Sequence, residues 1–415
     1  MKNLLILLTN YFPYYKGEEY LESELPILAK EFDTIIICSC MIDDKQEMTR
    51  TVPDNVIVIP SGVDHGKRNR LHMIAKGLKT KEQEKRELTS SQKMFAKYFE
   101  ARSKMISEAL IERIKMEDLK DFDRVTIYSY WIYVTARAAI DIKEELFADR
   151  NPLIISRAHR YDLYEEENKL GFLPSREFIF DNLDYVFPVS QSGKDSILHH
   201  HPSYADKIIV EKLGSQPNDL RIEPVTRPFH LVSCSGIREV KRLNLIIDAV
   251  KILLDRGLDV KWTHLGAGEL EDEIKKYAGD NLSKDRFHFT GHINNQEILP
   301  YYVDNKASLF VNVSASEGIP VSIMEAISIG LPVVATDVGG TREIVVDGKN
   351  GTLLPEDCTG EDVADAIEKI YHLNPEEYTG LSDEAMALWE QEYNAKTNYE
   401  NFAQWLKTTD SNSKE

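Results

Sequence analysis

Residues 314–354 read SASEGIPVSIMEAISIGLPVVATDVGGTREIVVDGKNGTLL. The apolar run 308–313 before this stretch predicts a buried strand, and the polar loop 314–320 leads from it into a helix. Pro320 suits the first turn of that helix, because a proline has no amide hydrogen to leave unpaired there. A glycine–leucine–proline turn then ends the helix before the next predicted strand, 333–336. This order of elements predicts a parallel α/β sheet with residues 314–320 at its carboxyl edge.

The same alternation of apolar strands and amphipathic helices runs through the whole chain, which predicts two doubly wound, Rossmann-like α/β domains. We predict a domain at 1–215, a linker with three prolines at 216–229, and a second domain at 230–387. Twelve strands are predicted, at residues 4–8, 34–39, 56–60, 125–130, 153–156, 185–189, 230–235, 260–265, 286–290, 308–313, 333–336 and 351–354.

The charge of the chain is acidic but uneven. Its 415 residues carry 50 basic and 69 acidic side chains, a net charge of −19 that argues against a nucleic-acid-binding protein. Residues 67–104 depart from this balance, with twelve basic residues against four acidic ones and a net charge of +8. This segment is either a docking face for an anionic membrane or phosphorylated lipid, or a long solvated helix pair.

No apolar run approaches the roughly 18 residues that a membrane span needs. The few, scattered cysteines are typical of buried free thiols in a reducing compartment. We therefore expect a cytoplasmic protein, at most in contact with the inner face of the plasma membrane.

The loop 314–320 brings polar groups to the carboxyl edge of its sheet, where ligands bind in open α/β folds. It carries Glu317 and the amides after Gly318, at a helix N-terminus that favours an anion. Glu325 lies one and a half turns into the helix, within reach of the same cleft. Two carboxylates beside an anion-binding helix end suit a ligand with hydroxyls and phosphate, such as a nucleotide sugar. The pattern alone is also compatible with a second interpretation, in which both glutamates are exposed charges at a helix end without a ligand.

Several motifs resemble the retaining family-four glycosyltransferases of the GT-B fold, and in the first half those of bacterial polysaccharide assembly. Glu317 and Glu325, with seven residues between them, lie in SEGIPVSIMEA, and GLPVVATDVGGTREIV follows. The other similar stretches are SCSGIREVKRLNLIIDA (233–249), LGAGELEDEI (265–274), GHINNQEILPYY (291–302), YFPYYKGEEYLESELPILAKEF (11–32), YSYW (128–131) and SRAHRYDLY (156–164). The resemblance implies two Rossmann-like domains facing a central cleft, with a last helical stretch, 388–415, crossing back to the N-terminal domain.

The resemblance also implies roles for individual residues. Glu317 is expected to face the hydroxyls of the donor sugar and Lys241 to bind phosphate, and these two residues and His159 are the expected catalytic residues. Glu325 is expected to bind the donor by accepting hydrogen bonds from the ribose. His159 matches a histidine that contacts the donor sugar, although a lone histidine is also often structural. The remaining expected donor-binding residues are Gly318, Ile319, Val321, Ile293 and Gly17.

One position departs from the family pattern. The family's phosphate-binding arginine, five residues before Lys241, is Gly236 in this chain. Arg238 and Arg242 are the two candidates to supply the missing positive charge.

The expected reaction is transfer of a sugar from a nucleoside-diphosphate sugar, a UDP-sugar in particular, to a hydroxyl of a glycan or lipid-linked saccharide. We expect no cofactor and no metal, because Asp121 and Asp123 form the one Asp-x-Asp triplet and precede a predicted strand instead of following one. Trp131 and Tyr130 are candidates for an acceptor groove or for core packing. The alternative functions are a sugar-nucleotide epimerase and a non-catalytic protein of the same fold.

Overall fold

The computed structural model describes residues 1–15, 17–66, 73–77, 84, 86–223 and 227–410. Contacts divide the chain into two units, Met1–Leu213 together with the chain from Lys396 onward, and Gly214–Ala395. Each unit contains one six-stranded parallel sheet, and all twelve predicted strands are confirmed. No helix among the described residues has the length and apolar composition needed to cross a membrane.

The first unit is built on a sheet with the order β3-β2-β1-β4-β5-β6. Its strands are β1 (Asn3–Thr9), β2 (Thr34–Ser39), β3 (Val56–Pro60), β4 (Arg124–Ser129), β5 (Leu153–Ala158) and β6 (Tyr185–Pro188). The side chains of β1 are all buried, as expected for a central parallel strand covered by helices on both faces. Strands β1 to β3 are added toward one side of the sheet and β4 to β6 toward the other, so the order of the strands reverses between β1 and β4. The loops that follow β1 and β4 therefore lead in opposite directions and leave a crevice between them.

Helices cover both faces of this sheet. They are α1 (Leu21–Glu31), α2 (Ser90–Ile114), α3 (Val134–Leu146), α4 (Arg160–Leu163), α5 (Arg176–Asn182) and α6 (Gln191–His200). Residues 73–77 are also helical, single 3₁₀ turns lie at Ala148–Arg150 and Glu165–Glu167, and a kinked 3₁₀ segment lies at Pro202–Lys207. A capping box begins α2: the Thr89 hydroxyl accepts a hydrogen bond from the Gln92 amide, and the Gln92 side chain accepts one from the Thr89 amide.

The second unit repeats this topology with the order β12-β11-β10-β7-β8-β9, which is the same sequence of connections. Its strands are β7 (Phe229–Cys234), β8 (Val260–Leu265), β9 (Phe287–Phe289), β10 (Leu309–Asn312), β11 (Val333–Thr336) and β12 (Gly351–Leu354). Its helices are α7 (Leu243–Asp255), α8 (Glu271–Asn281), α9 (Asn295–Asp304), α10 (Val321–Ser328), α11 (Thr341–Ile344), α12 (Gly360–Tyr371) and α13 (Pro375–Glu392), with a 3₁₀ turn at Glu239–Lys241. Here the chain order reverses between β7 and β10.

The contacts place two segments differently from the predicted boundaries. The amide of Ile222, in the predicted linker, donates to the Ile329 carbonyl (3.0 Å), so this segment packs on the second unit. Residues 224–226 of the linker lie outside the described residues. Trp389 and Tyr393 belong to the hydrophobic core of the second unit, and the tail that packs on the first unit begins at Lys396 instead of 388.

The last helix, α14 (Ala395–Thr408), contributes Phe402, Ala403 and Leu406 to the core of the first unit. There the guanidinium of Arg157 lies 4.4 Å from the ring centre of Phe402. Arg157 is fully buried, donates to the Tyr128 hydroxyl (2.6 Å) and lies 3.4 Å from the carboxylate of Glu24 in α1. One buried cation thus joins the sheet, the first helix and the last helix.

Candidate active site

Two predicted site residues meet at the carboxyl edge of the second sheet. Lys241 ends the 3₁₀ turn after β7, and Glu317 lies in the loop after β10. The Lys241 Nζ donates to the Glu317 Oε1 at 2.6 Å, and the two side chains are 22% and 11% exposed. Because β7 and β10 flank the reversal of chain order, this ion pair lies where ligands bind in doubly wound folds.

The loop that carries Glu317 is held by contacts that the sequence analysis did not identify. The Asn312 side chain at the end of β10 donates to the Glu317 Oε1 at 3.3 Å. After β11, Gly339 has a φ of +55°, and a Cβ there would lie 2.0 Å from the carbonyl oxygen of Glu317. The next amide, of Gly340, donates to the Gly318 carbonyl at 2.7 Å. The paired glycines therefore permit a close backbone approach that fixes the 317–318 loop.

Glu325 is the fifth residue of α10 and has a different electrostatic environment. Burial raises the pKa of its carboxyl group to about 7, and no described cation compensates for this effect. Its charge in turn contributes to the raised pKa of the Cys234 thiol at the end of β7, after burial as the main cause. A carboxylate of this kind gains most from a ligand that donates hydroxyl hydrogen bonds to it.

The two arginines that could replace the missing family arginine, Arg238 and Arg242, have different contacts in the structure. The Arg242 guanidinium donates to the carbonyls of Val313 (2.7 Å), Glu356 (2.6 Å) and Ser314 (3.2 Å). Its donors therefore hold loops of the second unit together.

Arg238, by contrast, is exposed, and no described side chain pairs with it. Its Nε lies 3.6 Å from the position that a Cβ of Gly236 would occupy. Arg238 and Arg242 both line a pocket of about 450 Å³ with Tyr277 of α8. The two arginines therefore differ in their hydrogen-bond partners: the Arg242 guanidinium is bonded to three carbonyls, whereas no described side chain pairs with Arg238.

His159 lies in the first unit, at the residue before α4. Burial lowers the pKa of its imidazole to about 3, so the ring is neutral at physiological pH. The rings of Tyr130 and Trp131 lie 4.6 and 4.7 Å from it, centre to centre. Its Nε2 atom is buried and has no hydrogen-bond partner among the described residues. Most buried polar atoms in folded proteins have a hydrogen-bond partner, so this atom calls for an explanation, and a ligand contact is one.

The remaining predicted contact residues are distributed over both units. Gly17, in the first unit, has a φ of +101° and no atom within 4 Å of a Cβ position, so its backbone conformation alone favours glycine. Ile293 and Ile319 pack partly buried against the core of the second unit. Val321 begins α10, and the Gly318 carbonyl accepts the hydrogen bond from Gly340.

The Asp-x-Asp triplet lies at the amino end of β4, the opposite end of the strand from Trp131. Asp123 immediately precedes β4, and its carboxylate accepts a hydrogen bond from the Lys2 amide at 2.7 Å. In the part of the chain that the structure describes, no three His, Cys, Asp or Glu side chains are placed to hold a metal ion together.

Comparison with known proteins identifies the class of the second unit. Residues 218–386 match the family described as "Glycosyl transferases group 1", which confirms the resemblance seen in the sequence. The second unit is therefore similar to group 1 glycosyltransferases over nearly its whole length.

The matching proteins include glycosyltransferases of bacterial polysaccharide synthesis. The chain is 31% identical over 159 residues to the amylovoran biosynthesis glycosyltransferase AmsK of Erwinia amylovora, covering 37% of this chain and 39% of AmsK. It is 27% identical over 207 residues to WcaL of Escherichia coli, a glycosyltransferase assigned to colanic acid biosynthesis, covering 48% of this chain and 50% of WcaL. The chain thus matches half or less of the length of these relatives.

The whole chain also resembles solved glycosyltransferase structures. The Anabaena protein Alr3699/HepE, solved in complex with UDP, superimposes with a TM-score of 0.66 at 14% identity, over 99% of this chain and 100% of that one. Together with the two parallel six-stranded sheets, this similarity shows that the fold is GT-B.

The raised pKa of Glu325 predicts a pH-dependent stability of the second unit. The carboxyl group binds its proton more tightly in the folded state (pKa about 7) than in the unfolded state (4.5), so ionisation destabilises the fold as pH rises through this window. Glu325→Gln does not titrate and should be more stable than wild type above pH 7, by up to about 3 kcal/mol. The difference should disappear below pH 4.5. Denaturant unfolding across this pH range measures it, and a gap that does not change with pH would contradict it.

Proposed function

We propose that this chain is a glycosyltransferase that transfers a sugar from a nucleoside-diphosphate sugar to a hydroxyl of a glycan or lipid-linked saccharide in surface polysaccharide synthesis. The observation that carries the proposal is the Lys241–Glu317 contact at the edge of a unit similar to group 1 glycosyltransferases. The assignment to polysaccharide synthesis is supported by the relative AmsK, which is named as a glycosyltransferase of amylovoran biosynthesis. A uridine nucleotide as donor is supported by the structure of HepE, which was solved in complex with UDP.

In this proposal the reaction builds negative charge on the departing diphosphate, and fixed positive groups stabilise it. Lys241 is held by Glu317 in the free protein, so its ammonium group is already oriented toward the loop at the N-terminus of α10. That helix end favours the same diphosphate through its free amides. Glu317 then faces the sugar hydroxyls, and Glu325 accepts hydrogen bonds from the ribose.

His159 fits the sugar side of this reaction. Because its ring stays neutral, it can hydrogen-bond a sugar hydroxyl through Nε2 without adding positive charge next to an oxocarbenium-like transition state. We further propose that the reaction retains the anomeric configuration, with the acceptor entering on the leaving-group face, and that Lys241 and Arg238 take the place of a divalent metal.

We expect the purified protein to release nucleoside diphosphate from one member of a panel of nucleotide sugars, faster when a saccharide acceptor is present. Lys241→Met should lower this rate by about 100-fold or more, because it removes the cation that faces the leaving group. Lys251→Met is the matched control, since this exposed lysine of α7 donates to Asn281 (3.2 Å), is not among the expected site residues and should keep wild-type activity.

Two further readouts of the same assay test the finer parts of the proposal. A chelator should leave the rate unchanged, and the product should keep the anomeric configuration of the donor. Failure of every nucleotide sugar to react would reject the catalytic function. Dependence on added manganese or magnesium would reject only the metal-independent mechanism.

Because the two arginines have different contacts, we expect their alanine substitutions to have different effects. Arg238→Ala should weaken binding of the nucleoside diphosphate about tenfold or more, through loss of a charge-assisted hydrogen bond, and leave the thermal midpoint unchanged. Arg242→Ala should lower the thermal midpoint, because three backbone carbonyls lose their donor. Calorimetric titration and thermal unfolding measure the two effects. Wild-type affinity in Arg238→Ala would remove this residue from the phosphate site.

We also propose that residues 67–104 contact an anionic membrane surface. Six of the twelve basic residues in this segment, Lys67, Arg68, Arg70, Lys79, Lys81 and Lys85, lie outside the described residues. Of the others, Lys76 and Lys104 lie within 4.0 Å of Glu108, and Arg86 pairs with Glu165 at 2.8 Å. The charge left for a membrane is thus smaller than the sequence total.

Replacement of Lys67, Arg68, Arg70, Lys79, Lys81 and Lys85 by glutamine should abolish sedimentation with vesicles that contain anionic lipid at low salt. Wild type should bind these vesicles and should not bind vesicles of neutral lipid. Absence of wild-type binding at low salt would show that the segment is a solvated face only.

A further inference from the structure

A buried carboxylate organises the loop that follows β1. Glu18 is 6% exposed, and its backbone adopts a left-handed conformation with a φ of 58°. Its Oε1 accepts a hydrogen bond from the Asn10 amide (2.7 Å), and its Oε2 accepts bonds from the amides of Tyr11 (2.8 Å) and Phe12 (2.7 Å). One side chain therefore fixes the shape of the 10–18 loop through three backbone donors.

The same carboxylate also reaches the loop that follows β4. The indole Nε1 of Trp131 donates to the Glu18 Oε1 at 2.6 Å. Since β1 and β4 are neighbours at the reversal of chain order, Glu18 links the two loops that border the crevice of the first unit. A buried residue in this position determines how the crevice is shaped without facing solvent itself.

Trp131 in turn contacts the predicted sugar-binding histidine. Its ring lies 4.7 Å from the His159 ring at an interplanar angle of 53°, and Tyr130 packs against the same imidazole. The His159 Nε2 atom is buried and has no hydrogen-bond partner in the part of the chain that the structure describes. Contacts thus run without interruption from Glu18 through Trp131 to this imidazole.

We propose that Glu18 is a positioning residue of the sugar site: it fixes the orientation of Trp131 and, through it, of His159, and does not itself touch the sugar. This inference rests on the proposed function and deepens it. A carboxylate is required because all four groups that face Glu18 are donors, whereas the amide of a glutamine would turn an N–H₂ group toward two of them. The ligand class is a hydroxyl-bearing sugar, recognised by a hydrogen bond to Nε2 of His159.

The test compares Glu18→Gln, Trp131→Phe and the double variant, with Asp184→Asn as the matched control. Asp184 is 7% exposed and accepts a bond from the Ile154 amide (2.8 Å), but it lies at the opposite edge of the sheet. Glu18→Gln should lower kcat for nucleotide-sugar turnover by about tenfold to a hundredfold through misplacement of His159. Nucleoside diphosphate affinity should not change, because the second unit carries the phosphate-binding groups. Asp184→Asn should lower the thermal midpoint and keep kcat.

Coupling between the two residues identifies the route of the effect. If Glu18 acts through Trp131, the double variant should lose no more kcat than the more damaged single variant. Additive losses, or a Glu18→Gln enzyme with wild-type kcat and only a lower thermal midpoint, would overturn the proposal. Trp131→Phe keeps a ring and removes the N–H donor, so it tests the same contact if Glu18→Gln fails to fold.

A readout independent of turnover separates this inference from the proposed function. The indole N–H resonance of Trp131, assigned by its loss in Trp131→Phe, should move in the spectrum of Glu18→Gln and stay in place in Asp184→Asn. An unmoved resonance would overturn the positioning role. Failure of the wild-type protein to turn over any nucleotide sugar would reject the proposed function, and the resonance would still report on the Glu18–Trp131 contact.

Discussion

The strand order of the two sheets is the constraint on which the arrangement of this protein depends. In each sheet the chain adds strands in one direction, returns to the centre and then adds them in the other. Loops after the two central strands therefore diverge at one edge and leave room for a ligand. Lys241 and Glu317 follow the central strands of the second sheet, and Glu18 and Trp131 follow those of the first. The topology thus places polar side chains from distant parts of the sequence at two equivalent edges.

The two units use charge differently at these edges. In the second unit, Lys241 and Glu317 are both partly buried, and each charge compensates for part of the desolvation of the other. In the first unit, burial suppresses charge on His159 by lowering its pKa to about 3, and the carboxylate of Glu18 is surrounded by four donors. In the proposed function the charged edge binds the diphosphate, and the neutral imidazole at the other edge contacts the sugar hydroxyls.

The sequence predicts the parts of this structure that depend on local patterns. Apolar runs such as 4–8 locate every strand, since a strand buried on both faces needs an unbroken apolar segment. The motif around Glu317 and the family resemblance that implies Lys241 point to two residues whose side chains then meet in space. The supporting contacts of Glu18 and Asn312 have no local signature, because they join residues that only the tertiary fold brings together. Likewise, nothing in the sequence distinguishes Arg238 from Arg242: the difference lies in which of them meets three backbone carbonyls.

The position of α14 has a consequence for the order in which the protein can fold during synthesis. Phe402 and Leu406 complete the core of the first unit, and Phe402 packs against the buried cation of Arg157. These residues are translated only after the whole second unit, roughly 180 residues later, which corresponds to roughly 10–40 s at ordinary ribosomal speeds. The unit that is made first is therefore the one whose core is closed last, and a nascent chain must carry an unfinished hydrophobic surface until its final helix emerges from the ribosome.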